Sequence, residues 1–124
     1  MDKITAGKSM SVGEILQWQW NGYAQFHQSR ANLYMHIIAV PLFLLANISL
    51  LVAMAQLSFV AAILSVIVMA VSMAVQGKGH KKEEHPAIPF SSPMNAITRI
   101  FLEQWITFPR FVISGGWLKA LRAC

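Results

Sequence analysis

The chain has 124 residues, of which 56% are hydrophobic and 12% charged, with a formal net charge of +5. The length suits one domain, and the composition is too apolar for an ordinary soluble domain of this size. The basic residues flank the apolar run, with Arg30 before it and Lys78, Lys81 and Lys82 after it; attraction to anionic lipid headgroups explains them better than RNA or DNA does.

In chain order, Met1 to Met10 is polar, carries Lys3 and Lys8, and leads into no short apolar run with a small-residue cleavage site. No signal peptide is therefore expected. Ser11-Val-Gly-Glu14 reads as a capping box that opens an amphipathic helix over 11–28. Leu16, Trp20, Tyr23 and His27 share one stripe of it. Ser29 to Asn32 reads as a short polar turn.

No Asp, Glu, Lys or Arg occurs between Arg30 and Lys78. As one helix this run would extend about 70 Å, roughly twice a hydrocarbon core. The simplest reading is two spans, 33–55 and 58–76, joined by a tight hairpin at Ala55-Gln56-Leu57-Ser58, with Ser58 capping the second helix. The flanking basic residues place both termini in the cytoplasm and the chain in the inner (cytoplasmic) membrane.

The two spans carry matching stripes. Asn32, His36, Val40, Phe43, Asn47, Leu50 and Met54 share one face of the first span. Ser58, Ala62, Ser65, Met69, Ser72 and Gln76 share one face of the second, rich in the small and hydrogen-bonding residues that pack helices in lipid. A hairpin turning at Gln56 then sets Asn47 opposite Ser65, Val40 opposite Ser72, His36 opposite Gln76 and Asn32 near His80. Pro41 cannot donate to the carbonyl of Ile37 and should kink the first span one turn above His36.

Gly77 and Gly79 loosen the chain before the charged loop HKKEEHPAIPFSSP. Ser92-Pro93 starts another helix, 93–108, with Pro at its first position, ending before Pro109. Met94, Ile97, Phe101, Trp105 and Phe108 form its apolar face, opposed by Arg99 and Glu103. This helix is too polar to span and is expected flat in the interface, as is the tail. Cys124 is the lone cysteine, so no internal disulfide is possible. The fold class expected is all-α: one membrane domain, a two-span helical hairpin flanked by interfacial amphipathic helices.

His27, His36 and His80 come from three elements that this arrangement brings to one end of the hairpin, with Glu83 and Glu84 nearby. Histidine and carboxylate with open positions suit non-haem Fe(II), and also Zn(II). The plainer alternative is that each imidazole bonds a headgroup or a backbone carbonyl and no metal binds. Asn32 reads as a helix cap first and a partner of a ligand second. Asn47 with Ser65 reads as packing, and His85 as an exposed loop residue.

The stretches HQSRANLYMHIIAVP and QGKGHKKEEHPA resemble a small membrane-protein family that includes the fungal 2-hydroxy fatty acid dioxygenase of phytosphingosine breakdown. That family's pattern falls on His27, Asn32, His36, Gln76, Gly79, His80, Glu84, Pro86 and Ala87, and the ending EQWITFPRFVISGGW looks like its short bacterial members. The resemblance covers most of the chain from Tyr23 onward. It implies Fe(II)-dependent α-oxidation of a 2-hydroxy fatty acid, with His27, His36 and His80 holding the iron. Glu84, Asn32 and Gln76 would be catalytic, Glu83 competing with Glu84 for the carboxylate position. Lys81, Lys82 or Arg30 could attract the substrate carboxylate. Two other readings stay open: a non-catalytic membrane scaffold or lipid-binding protein with structural histidines, and a haem protein with two axial histidines. The partners expected are membrane and a lipid or fatty acid, with no nucleic acid; a homo-oligomer also stays open.

Overall fold

A computed structural model describes residues 10–124, so the N-terminal stretch read for a signal peptide lies, apart from Met10, outside the described residues. Among these residues there is no strand. Helix α1 (Val12–Gly22) continues as a 3₁₀ turn (Tyr23–Phe26); α2 (Arg30–Ala55) and α3 (Phe59–His80) form an antiparallel hairpin. After a loop come α4 (Pro93–Leu102), a π-helical segment (Glu103–Thr107), α5 (Phe108–Ile113) and α6 (Gly116–Arg122).

The caps read from sequence form. Ser11 and Glu14 exchange both bonds of a capping box, Ser58 caps α3, and Ser92 caps α4 with Pro93 at its first position. The polar turn at 29–32 is shorter than expected: Ser29 is the cap of α2, and Asn32 already lies in its first turn. Helix α2 runs unbroken through Pro41. The turn between α2 and α3 places Leu57 at φ 54°, a left-handed conformation uncommon for a residue with a Cβ.

Helices α2 and α3 are long and apolar enough to cross a membrane. Most of their large apolar side chains, among them Leu45, Leu51, Phe59, Val60 and Ile63, are exposed. The small core lies away from the turn, where Tyr23, Leu33, Val40, Phe108 and Phe111 pack together against Trp20, Ile37 and Trp117. Helix α1 lies against α4 and the π segment, and α6 lies against α2.

The hairpin register is close to that read from the stripes. Ser72 Oγ donates to Ala39 O (2.6 Å), one residue from the expected Val40. Asn47 and Ser65 do not pair, however. Ser65 shares its hydrogen bond with Ser49 Oγ (2.8 Å), whereas Asn47 accepts from Trp105 Nε1 (3.0 Å) and donates to Phe43 O. Asn47 therefore serves the α4–α5 limb, which lies alongside the hairpin on that face. No hydrogen bond joins His36 to Gln76 either, and Gln76 bonds with Gln104.

The limb after the loop differs most from its expected form. It does not end before Pro109: the π segment widens one turn and the helical path continues through α5. Most of its apolar face is turned outward, with Met94 and Ile97 exposed and only Phe108 in the core, while Arg99, Gln104 and Thr107 are buried.

Candidate metal centre

Three imidazoles meet at the end of the hairpin far from the turn. His27 follows the 3₁₀ turn, His36 is on α2 and His80 is the last residue of α3. Their ring centroids lie 4.9 Å (His27–His36), 4.8 Å (His27–His80) and 4.9 Å (His36–His80) apart, with the rings nearly perpendicular to one another. Glu103, the first residue of the π segment, completes the group. One ligand atom from each of the four residues lies within 4.8 Å of the others. Donors on opposite sides of one ion stand about 4 Å apart at bonds near 2.1 Å, so small side-chain shifts would close this group on a single ion.

The outer nitrogens set the inner ones. His27 Nδ1 lies 2.7 Å from Tyr23 O, and His36 Nδ1 lies 3.1 Å from Asn32 O. A carbonyl only accepts, so each Nδ1 carries the proton and each neutral ring leaves Nε2 as a bare lone pair. His27 Nε2, His36 Nε2 and His80 Nδ1 are buried with no hydrogen-bond partner. Buried polar atoms are rarely left unpaired, and three in one cluster call for a ligand. Glu103 Oε2 does not supply it, since it lies 3.5 Å from His27 Nε2 and 3.6 Å from His36 Nε2, beyond an ordinary hydrogen bond. These donors fit a metal ion that accepts three nitrogens and a carboxylate oxygen.

The carboxylate is itself prepared for that task. Burial raises the Glu103 pKa, but with no metal bound, protonated His27 and His36 would outweigh burial and hold the carboxyl well below the usual carboxylate range; with a metal bound, the ion's own charge would take that part. Tyr23 donates its hydroxyl to Glu103 Oε2 (2.7 Å) and stacks on His27 at 3.8 Å between centroids. Burial first, and then the neighbouring Glu103, push the Tyr23 phenol well above its ordinary pKa, so it stays a donor.

The three histidines named from the sequence come together, but the carboxylate does not come from the loop. Glu84 is exposed and outside the group. Its neighbour Glu83 turns back to the start of α2, where it accepts from Gln28 N (2.9 Å), Ser29 N (2.9 Å) and Asn32 Nδ2 (2.7 Å). A carboxylate suits the free amides of a helix N-terminus, and engaging Glu83 there leaves Glu84 facing outward. His85 is exposed in the same loop, as expected.

Asn32 and Gln76 are fully buried beside the group without belonging to it. Asn32 links Glu83 to His36 through its side-chain amide and its own carbonyl. Gly79 permits this: a Cβ there would collide with Asn32 Oδ1. Gln76 and Gln104 exchange two bonds of 2.8 Å, and Gln76 also donates to Ser72, tying the π segment to α3.

Glu103 was missed because a regular helix with a clean apolar face puts its polar residues in solvent. Here the faces are reversed, and the π segment re-aims the turn that carries Glu103, a common device at functional sites. A polar stripe of Arg99, Glu103 and Thr107 at a spacing of four residues was the available signal.

Beside the centre lies a cavity of about 880 Å³. His27, His80, Gln76 and Glu103 line its polar end, and Trp18, Phe26, Met73, Ile88, Phe90 and Ile100 supply apolar walls. No family model, curated protein or solved structure matches the chain.

Proposed function

We propose that the chain is a membrane-embedded non-haem iron oxygenase that shortens a long-chain 2-hydroxy acid by one carbon. The observation that carries this reading is the trio of unpaired, buried imidazole nitrogens converging with Glu103. The cavity beside them is of a size that takes a drug-sized or lipid-like ligand. The resemblance of the His27, Asn32, His36 and His80 stretches to the 2-hydroxy fatty acid dioxygenase family supplies the substrate.

The reaction balances as R–CH(OH)–COOH plus O2 giving R–COOH, CO2 and H2O. Fe(II) held by His27, His36, His80 and Glu103 would supply the binding and reduction of O2. The chain's own residues do the rest. Tyr23 O and Asn32 O hold the two Nδ1 protons, which keeps the Nε2 atoms aimed inward. Tyr23 holds Glu103 Oε2 by a hydrogen bond. The core around Tyr23, Phe108 and Phe111 keeps water from the back of the centre. The site lies at the end of two helices that are long and apolar enough to span. An acyl tail can therefore approach from lipid while its head reaches the imidazoles. In this reading both termini lie on the cytoplasmic side of the inner membrane.

The test is purified protein reloaded with Fe(II) and given 1-labelled 2-hydroxyhexadecanoate under air. Oxygen-dependent release of labelled CO2 with a 15-carbon acid supports the reading. Bound iron with no turnover on a panel of 2-hydroxy acids would remove the substrate assignment, and absence of bound metal would remove the enzyme.

A further inference from the structure

Arg99 is buried, with 9% of its surface exposed, and lines the cavity. Among the described residues it has no carboxylate in ion-pair contact. Its guanidinium donates to three oxygens: Nη1 to Pro89 O (3.1 Å) and Asn95 Oδ1 (3.4 Å), and Nη2 to Ile88 O (2.8 Å). Five N–H groups are available on a guanidinium, so Nε–H and one Nη2–H make no bond within the described residues. Nε and Nη2 border one edge of the planar group, an edge that can grip a carboxylate with two parallel bonds. The guanidinium is packed against Trp18 and Phe90, at 5.0 and 4.5 Å from their ring centroids, contacts that favour a fixed plane for it. A second donor is orphaned on the same wall, for Trp18 Nε1 is buried without a partner. A buried cation without a counter-ion is costly. Burial accordingly lowers the Arg99 pKa, with Glu103 one helical turn away only partly opposing the shift.

We infer that Arg99, aided by Trp18 Nε1, is the residue that recognises an anionic head in this cavity, and that the head is the carboxylate of a long-chain acid. The inference rests on reading the cavity as the substrate pocket, and not on which metal occupies the centre. The two N–H groups left over match in number the two oxygens of a carboxylate. Specificity for an acid then comes from the α4 limb, and the exposed Lys81 and Lys82 give at most long-range attraction.

The experiment measures equilibrium binding of labelled hexadecanoate, its methyl ester and hexadecyl phosphate to the full chain in nanodiscs. Wild-type protein is expected to favour the acid over both. Arg99→Met should weaken acid binding by about 10- to 100-fold, the value of a charge-assisted pair, while ester binding stays within about threefold. Arg99→Lys should recover part of the loss, because charge returns without the fork. Should Arg99→Met fail to fold, Trp18→Phe keeps the ring and removes the donor; it should cost only the acid, by about 3- to 10-fold. Equal loss for acid and ester would make Arg99 a clamp for the Ile88–Pro89 strap and overturn the inference. So would unchanged acid binding, or Arg99-dependent preference for the phosphate. Selective acid binding without turnover would instead sink the oxygenase and leave this inference standing.

Discussion

The two ends of the α2–α3 hairpin are built on opposite rules. Near the turn, Leu51, Met54, Leu57, Phe59 and Val60 are exposed, and polar contacts between the helices reduce to Ser49 with Ser65. At the far end His36, Asn32, Ser72 and Gln76 are buried, the first two bonded into a network that reaches Glu83 and the last two into one that reaches Gln104 and Ala39. The turn end needs only to be compatible with lipid, so many apolar sequences serve. The far end gathers polar groups that would be expensive unless paired, so each side chain there answers to a partner. A fold can therefore be anchored loosely at one end and hold a defined site at the other.

The comparison breaks most visibly if single changes at the far end are not far more costly than changes at the turn end. The largest effect is expected from removing an imidazole. Alanine at His27, His36 or His80 should abolish stoichiometric metal binding, whereas His85→Ala should leave it unchanged, as read by metal analysis of the purified variants. Glu103→Gln follows: it keeps shape and removes the anionic ligand, and metal affinity in equilibrium dialysis should fall by more than about tenfold. Glu84→Gln should not alter it. An equal loss in the two glutamine variants would return the carboxylate to the loop.

Gly79→Ala probes the fit between the helices. Its Cβ would meet Asn32 Oδ1 and approach Met35 Sδ to 3.3 Å. Overpacking of this kind costs about 1–3 kcal/mol, and thermal unfolding should register it together with weaker metal binding. Asn32→Ala removes the side-chain bond to Glu83, leaving those from the Gln28 and Ser29 amides, and should lower metal affinity by about 10- to 100-fold, the range for residues that orient ligands. The smallest effect belongs to the turn end. Ser65→Ala loses its bond to Ser49, worth about 0.6 kcal/mol in lipid, and metal affinity should not move.

The same contrast explains what could be read from the sequence. The hairpin was legible because it depends on composition: a charge-free run of this length has few other folds, and Ser58 and Gln56 mark its turn. The histidine trio was legible because His36 and His80 sit at matching ends of two antiparallel helices. Glu103 and Arg99 were not. Their helix was read as lying flat in the interface, which turns its polar face to water, and the structure buries Arg99 instead. Asn47 was misassigned for a related reason. A two-helix reading had no third limb to offer it, and Trp105 arrives from one. Glu83 was read as a rival ligand because a stripe pattern carries no information about the open amides at the start of α2.

The central claim is that one ion is held by three imidazoles and Glu103. Metal K-edge absorption on the purified wild-type protein, taken with the metal content per chain, tests it most directly. The account predicts about one metal per chain with a nitrogen and oxygen shell near 2.1 Å and the outer-shell scattering of about three imidazoles. A protein that retains no metal above the buffer level, or a metal whose shell lacks imidazole, would contradict it.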